Sequence, residues 1–311
     1  MACKAAKITA ASFLLTGALV LSACTTTAPE SEGYTPPGVT TEENQTEAEP
    51  ANNQAEDYTP TYDGNHIPDE ELTPLDGTNL ELLRENPAIM LQLTPLTPGE
   101  ELAILHTNMG DITLRFFPEE APMAVENFKT HARNGFYDGV IFHRVIPNFM
   151  IQGGCPLGQG NAGESIWGGT FHTETSFNLR HFNGAVAMAH AGPGTIGSQF
   201  YIVHNHTLAP QHRMEFEHLR DILDMPIGIF EDGTRFYVRD LHPEDGLNYF
   251  IENGGTHHLD WFWNEQGPHP VFAHVVDGMD VVNAIATTET APGDRPIEDM
   301  IIERISFVIY E

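Results

Sequence analysis

Basic residues are scarce in this 311-residue chain: 14 Lys and Arg stand against 44 Asp and Glu, a formal net charge of −30. So acidic a chain excludes binding to nucleic-acid phosphate, or to anionic lipid, through general electrostatics. Cysteine is nearly absent as well, with three in all. Cys3 and Cys24 lie at the N-terminus, which leaves Cys155 alone in the body of the chain, and one cysteine cannot form an internal disulfide. A small apolar filler is the reading preferred for it over a reactive thiol. The 16 histidines are accompanied by no cysteine set and no H-E-x-x-H. No metal is therefore expected, although His204 and His206 alternate along one strand and His257 adjoins His258. Gly158, Gly160 and Gly163 match G-x-G-x-x-G, but no helical pattern follows and Gly168-Gly169 comes almost at once. That excludes a dinucleotide site and reads as a mobile glycine-rich loop; no cofactor is expected.

The N-terminus has the layout of a targeting segment. Lys4 and Lys7 precede an apolar run over residues 8–20, followed by Leu21-Ser22-Ala23-Cys24. A membrane span needs about 20 apolar residues, and this run is shorter. The ending resembles the lipobox of bacterial lipoproteins. The resemblance implies cleavage after residue 23, lipid on Cys24, and an extracytoplasmic protein anchored to the bacterial cell membrane. An ordinary cleaved signal peptide is the alternative, although Leu21 stands where an A-x-A site has a small residue. Residues 24–71 read as an acidic disordered tether. Residues 25–101 hold 17 acidic side chains and one basic one, Arg84, for a net of −16, about half the charge of the chain. About 40 such residues reach roughly 35 Å, further with self-repulsion. Residues 72–100, cut by Pro74, Pro87, Pro95 and Pro98, read as a strap lying on the folded domain.

The domain itself is expected over residues 101–311. Residues 102–106 and 111–117 read as a hairpin about Asn108-Met109-Gly110, and 140–146, 149–152, 185–189, 199–203, 271–276 and 301–309 as further strands. Val125, Phe128 and Ala132 recur at helical spacing before Gly135, and Met279, Val282 and Ile285 form the stripe of a second helix. Residues 213–256 carry Phe216, Phe230, Phe236, Tyr237, Tyr249 and Phe250, too many aromatics for disorder, and read as a small subdomain inserted in a loop.

The functional signal lies in residues 142–154, FHRVIPNFMIQGG. Alternate residues of a strand share a face, so Met150 and Gln152 line one wall, with the fixed cation Arg144 nearby. This stretch, with GAVAMAHAGPGTIGSQFYIV at residues 184–203, resembles the signatures of the cyclophilin family of peptidyl-prolyl isomerases. The resemblance implies a mainly β fold, a closed antiparallel eight-stranded barrel with a helix over each end. It implies that Phe149, Met150 and Tyr201 grip a proline ring, with Leu259 closing the pocket. Gln152 would hold a substrate carbonyl, Ala189 and His190 would offer backbone contacts, and His269 would sit at the rim. Gln199 would support Arg144 or the substrate backbone. Tyr201 stands where members often carry Phe, so its hydroxyl must find a partner or face solvent. Before Leu259 stands His258, where some members have a tryptophan that contacts cyclosporin, so strong inhibition by that drug does not carry over. The insertion borders the groove and either shapes substrate choice or is a structural lid.

The implied activity is rotation about Xaa-Pro bonds in extracytoplasmic polypeptides, with proline-containing unfolded chains as partners. The other reading is a cyclophilin-like module that binds proline-containing segments with weak turnover. Rotation makes and breaks no covalent bond, so a site favouring the twisted amide is enough, with no nucleophile or metal.

Overall fold

Alternation of side chains along two central strands decides how this molecule is layered, because both faces of those strands are buried. The computed structural model describes residues 73–75, 83, 86–192, 194–260 and 268–311. The targeting segment, Cys24 and the tether over residues 24–71 lie outside these residues, as do Trp261 and Trp263. In chain order come β1 (Thr73–Leu75), β2 (Glu101–Thr107), β3 (Gly110–Phe116), helix α1 (Pro122–Arg133), β4 (Arg144–Ile146), β5 (Phe149–Gly153), β6 (Ala185–Met188) and β7 (Phe200–His204). Then follow α2 (Pro210–Asp221), β8 (Pro226–Phe230), β9 (Arg235–Tyr237), α3 (Val238–Leu241), α4 (Glu244–Asn253), β10 (Val271–Asp277), α5 (Met279–Ala286), β11 (Thr290–Ala291), β12 (Arg295–Pro296) and β13 (Ile302–Ile309). Among the described residues, no helix is long and apolar enough to cross a membrane.

Eight of the strands form one antiparallel sheet in the order β13-β2-β3-β10-β6-β7-β5-β4, curled into a half-barrel. The chain just before β4 meets the chain just before β13 at a single bridge, Ile141 to Ile301. Phe142 N–H donates to Met300 O (2.9 Å) and Ile302 N–H to Val140 O (2.9 Å). This explains a departure from expectation: residues 140–146 do not form one strand. Their first half spends its backbone hydrogen bonds on residues 300–302, and only Arg144–Ile146 ladders to β5.

The inner face of the sheet packs the main core. Ile151 of β5, Phe200 and Ile202 of β7, Val186 of β6 and Phe272 of β10 join Phe128 of α1 and Val282 and Ile285 of α5. The Phe128 ring meets Phe200 edge-on at 5.2 Å and lies 5.4 Å from Phe272; such pairs add to area burial. Of the expected stripe on α5, Val282 and Ile285 are fully buried and Met279 only half so. Gly135 follows α1 at φ +68°, a left-handed conformation that glycine takes without strain.

The outer face carries Met150, Ala187, Tyr201, Val203 and Val271, which form a separate apolar cluster with Phe117 and Leu179. Beside it lies a third cluster. Phe216, Phe230, Phe236 and Phe250, four of the aromatics noted in residues 213–256, are buried there with Leu83, Met90 and Phe182. Phe216 stacks on Phe250 at 5.0 Å with the rings 1° from parallel. β1 pairs in parallel with β8, and β8 with β9, in a three-stranded sheet.

A buried amide is among the groups that join residues 86–100 to the rest. Gln92, on the 3-10 turn Leu91–Leu93, accepts at Oε1 from Arg180 N–H (2.7 Å). Its Nε2 donates to Arg180 O (2.9 Å) and reaches His274 Nδ1 at 3.2 Å. Gln92 is 8% exposed, and groups that lose such a partner in a buried place cost about 1–3 kcal/mol each. Gln92→Leu is therefore expected to lower unfolding stability by about 2–4 kcal/mol. Urea unfolding checks this, and a loss under about 0.5 kcal/mol, the range of a neutral surface change, would show that the amide does not hold this segment down.

Candidate functional site

Register places the charged and amide groups side by side. β4 and β5 reverse through Pro147-Asn148, where proline fixes φ and Asn148 takes φ +58°. The pairing sets Arg144 opposite Gln152, Gln152 opposite Tyr201, and Tyr201 opposite Ala187. Directly opposed residues project to the same side of a sheet. Arg144, Gln152 and Tyr201 thus stand abreast on the outer face, with Met150 one step along.

A cleft of about 550 Å³ opens over this row, and all ten residues singled out from the sequence line it. Met150 and Tyr201 are buried in its floor, 2% and 4% exposed. Arg144 stands at its edge, with Cζ 6.0 Å from the centroid of the Phe149 ring. Gln152 Nε2 donates to Gln199 Oε1 (3.0 Å), and Gln199 Nε2 donates to Gly160 O (3.0 Å) and Ala162 O (2.9 Å). Gln199 therefore holds Gln152 and the glycine-rich loop. Ala189 and Leu259 pack against the outer-face cluster. His190 and His269 stack at 4.0 Å.

His269 donates from Nδ1 to Met188 O (3.1 Å). Burial, with the neighbouring His190 and His181, pushes its pKa down to about 3. Its ring is neutral at physiological pH and contributes shape and an Nε2 lone pair, not charge. The permanent charge on the wall is that of Arg144. Its Nε lies 3.6 Å from Asp294 Oδ2, with the two side chains 42% and 48% exposed. Such exposed pairs contribute little energy but bias the guanidinium's direction.

Several contributors were not legible in the sequence. Tyr201 OH is 2.9 Å from His181 Nε2, and His181 Nδ1 is 2.7 Å from Asp260 Oδ1. With the Nδ1 proton committed to the carboxylate, Nε2 accepts and the tyrosine donates. Burial, and then the charge of Asp260, hold the Tyr201 pKa well above its ordinary value, so the phenol stays protonated. This satisfies the hydroxyl that had to find a partner. Asp260 lies next to Leu259, and neither it nor His181 belongs to a motif. Asp294 is equally remote in sequence, at a turn whose carbonyl accepts from Val145 N–H (2.8 Å).

The glycine-rich loop is tied down where mobility was expected. Beyond the Gln199 bonds, Gly158 N–H donates to Cys155 O (2.9 Å), and the Cys155 thiol is buried. Gly163 packs so closely on Ser198 that a Cβ would lie 2.2 Å from its Oγ. Of the histidines first considered as metal ligands, His204 and His206 bond to each other, Nε2 to Nε2 at 2.9 Å. His257, the other histidine considered with His258, converges instead with His212 and Glu215.

Tyr201→Phe keeps the ring in the cleft floor and leaves His181 Nε2 without its donor. The expected outcome is a stability loss of about 1–3 kcal/mol, with kcat/KM on an Xaa-Pro peptide within roughly fivefold of wild type, about 1 kcal/mol. Thermal unfolding and an isomerisation assay on one preparation check both, and unchanged stability would show that the buried relay contributes nothing.

Comparison with known proteins agrees with the geometry. The sequence profile of the cyclophilin type peptidyl-prolyl cis-trans isomerase/CLD family matches residues 102–219 and 239–307, leaving out the stretch that holds β8 and β9. A protein of Staphylococcus aureus (strain USA300) named "Putative peptidyl-prolyl cis-trans isomerase" is 41% identical over 207 residues, 67% of this chain and 91% of that protein. One of the same name from Staphylococcus haemolyticus (strain JCSC1435) is 40% identical over 201 residues, 65% and 88% of the two chains. A crystal structure of a cyclophilin type peptidyl-prolyl cis-trans isomerase of Cryptosporidium parvum is similar at 25% identity with a TM-score of 0.48, over 68% of this chain and 98% of that one. On the extent of the profile match and the identity to the staphylococcal proteins, this chain belongs to the cyclophilin family of peptidyl-prolyl cis-trans isomerases.

Proposed function

We propose that the chain is a folding helper that accelerates rotation about Xaa-Pro bonds in extracytoplasmic polypeptides, working from the end of a lipid anchor on Cys24. The observation that carries the catalytic reading is the row Arg144, Gln152, Tyr201 beside the Met150 floor in one open cleft. An apolar floor next to donors suits a proline ring followed by its amide. The barrier to rotation is roughly 18–20 kcal/mol because resonance makes the C–N bond partly double. As the bond twists, the nitrogen lone pair leaves conjugation and becomes an acceptor. A guanidinium at that position interacts more strongly with the twisted amide than with either planar form. Each 1.4 kcal/mol of difference is about tenfold in rate, so about 4 kcal/mol supplies a thousandfold. In this reading Gln152, held by Gln199, keeps the substrate carbonyl, Phe149 and Leu259 flank the ring, and His269 sits at the rim.

The reading extends to the architecture. The barrel is taken as closed through the Ile141–Ile301 bridge, with α1 over one end and α5 over the other. Residues 213–256 are taken as an inserted subdomain under the strap, a reading supported by the apolar cluster that they share with Leu83, Met90 and Phe182. The anchor rests on the sequence of residues 1–24 and on the acidic tether after it.

Two measurements test these parts separately. Arg144→Ala is expected to lower kcat/KM for a short Xaa-Pro peptide roughly 10²–10³-fold, the usual effect of removing one transition-state donor, with the unfolding midpoint unchanged. Equal rates for the two proteins would leave only a binding role. For the anchor, wild type is expected in the membrane fraction of a bacterial host and Cys24→Ser in the soluble extracytoplasmic fraction. The same fraction for both would refute lipid attachment at that residue.

A further inference from the structure

We propose that His212, Glu215 and His257 form a binding site for a single divalent transition-metal ion of the zinc class, joining the inserted segment to one wall of the isomerase cleft. His212 and Glu215 are three residues apart in α2 and so lie on one face of that helix. His212 Nδ1 is 3.5 Å from Glu215 Oε2. His257 faces them from the 3-10 turn His257–Leu259, its ring centroid 4.4 Å from that of His212. One ligand atom from each of the three lies within 4.8 Å of the other two.

Zinc holds nitrogen and oxygen ligands at about 2.0–2.2 Å in a tetrahedron, which sets those atoms roughly 3.5 Å apart. Closing from the present spacing of at most 4.8 Å asks for a shift of roughly 1.3 Å at the ligand atoms, and His212 and Glu215 are both half-buried. His257 is the fixed member. It is 5% exposed and stands edge-on to Phe216 at 5.1 Å and to Phe250 at 6.3 Å. Two imidazoles and one carboxylate suit zinc and its neighbours in the first transition row, whereas magnesium and calcium prefer all-oxygen shells. Three protein ligands leave one position open. His212 and His257 line a second cleft of about 490 Å³ through which an ion and a water could reach it.

The location gives the site a consequence. The turn that carries His257 also carries His258, whose ring stacks on Phe149 at 6.0 Å, and Leu259, which lines the isomerase cleft. An ion shared between α2 and this turn would brace that wall from behind, while none of its three ligands lines the isomerase cleft. The inference therefore does not depend on the catalytic reading. The neighbouring pair His204 and His206 provides a control, since its ring nitrogens bond to each other and to Asn283 and, among the described residues, no carboxylate forms a metal-ligand group with them.

The test is calorimetric titration of the folded full chain with zinc chloride, in excess magnesium to occupy the surface carboxylates. The expected result is one equivalent bound per chain, with Tm raised roughly 5 °C at a hundredfold excess over Kd. His212→Ala and Glu215→Gln, each shown by circular dichroism to be folded, should bind at least about tenfold more weakly. His206→Ala should bind like wild type. Absence of a saturable single site, undiminished binding in both cluster variants, or loss of binding in His206→Ala would each overturn the proposal.

Discussion

Register between β4, β5 and β7 is the constraint on which this molecule's working surface depends. Their inner face is buried in the main core and their outer face lines the cleft, so a slip of one residue would exchange the contents of the two. Ile151, Phe200 and Ile202 would leave the core, and Gln152 and Tyr201 would enter it. The inner face is apolar throughout this stretch, and burying an amide there without a partner is costly. The requirement to pack the core is thus the same requirement that sets Arg144, Gln152 and Tyr201 abreast on the outside.

Buried polar contacts then fix what lies over that outer face. Segment 179–183 is where they gather. Arg180, 2% exposed, donates to the carbonyls of Phe177, Leu179 and Leu241, while its backbone meets Gln92. Its charge survives because it is so thoroughly bonded: burial lowers its pKa to about 10, with Asp260 and Asp245 acting in the opposite sense. The next residue, His181, links Asp260 to Tyr201. Two consecutive residues consequently connect residues 86–100, α3 and the cleft floor. Directional buried bonds such as those of Arg180 and Gln92 favour one arrangement where apolar contacts alone would tolerate several.

Much of the frame and of the cleft could be read from residue order. The periodicities over Val125, Phe128 and Ala132, and over Val282 and Ile285, mark the helices because burial on one side of a helix writes itself into sequence. Strands β5 and β7 read as strands by composition, and the FHRVIPNFMIQGG stretch brings its own cation, floor and amide within nine residues. The limits of the reading are equally physical. Residues 140–146 carry strand composition throughout, but whether Val140 and Phe142 ladder to β5 or to residues 300–302 depends on a partner 160 positions away. The glycine-rich loop has the composition of a mobile segment, and the groups that bond to it or pack on it, Gln199, Ser198 and Arg295, are all distant in sequence.

The sequence by itself determined the local alternation and the chemistry of the individual groups: a fixed cation, an amide, a deep apolar floor, and which stretches are helix or strand. Spacing of two or of three to four residues is a short-range property, legible without coordinates. The tertiary structure alone decided which distant groups serve these. That His181 and Asp260 stand behind Tyr201, that Asp294 faces Arg144, and that His257 closes on His212 and Glu215 all follow from chain segments brought together by burying apolar surface, a force that has no direction and leaves no spacing in the sequence to mark its partners.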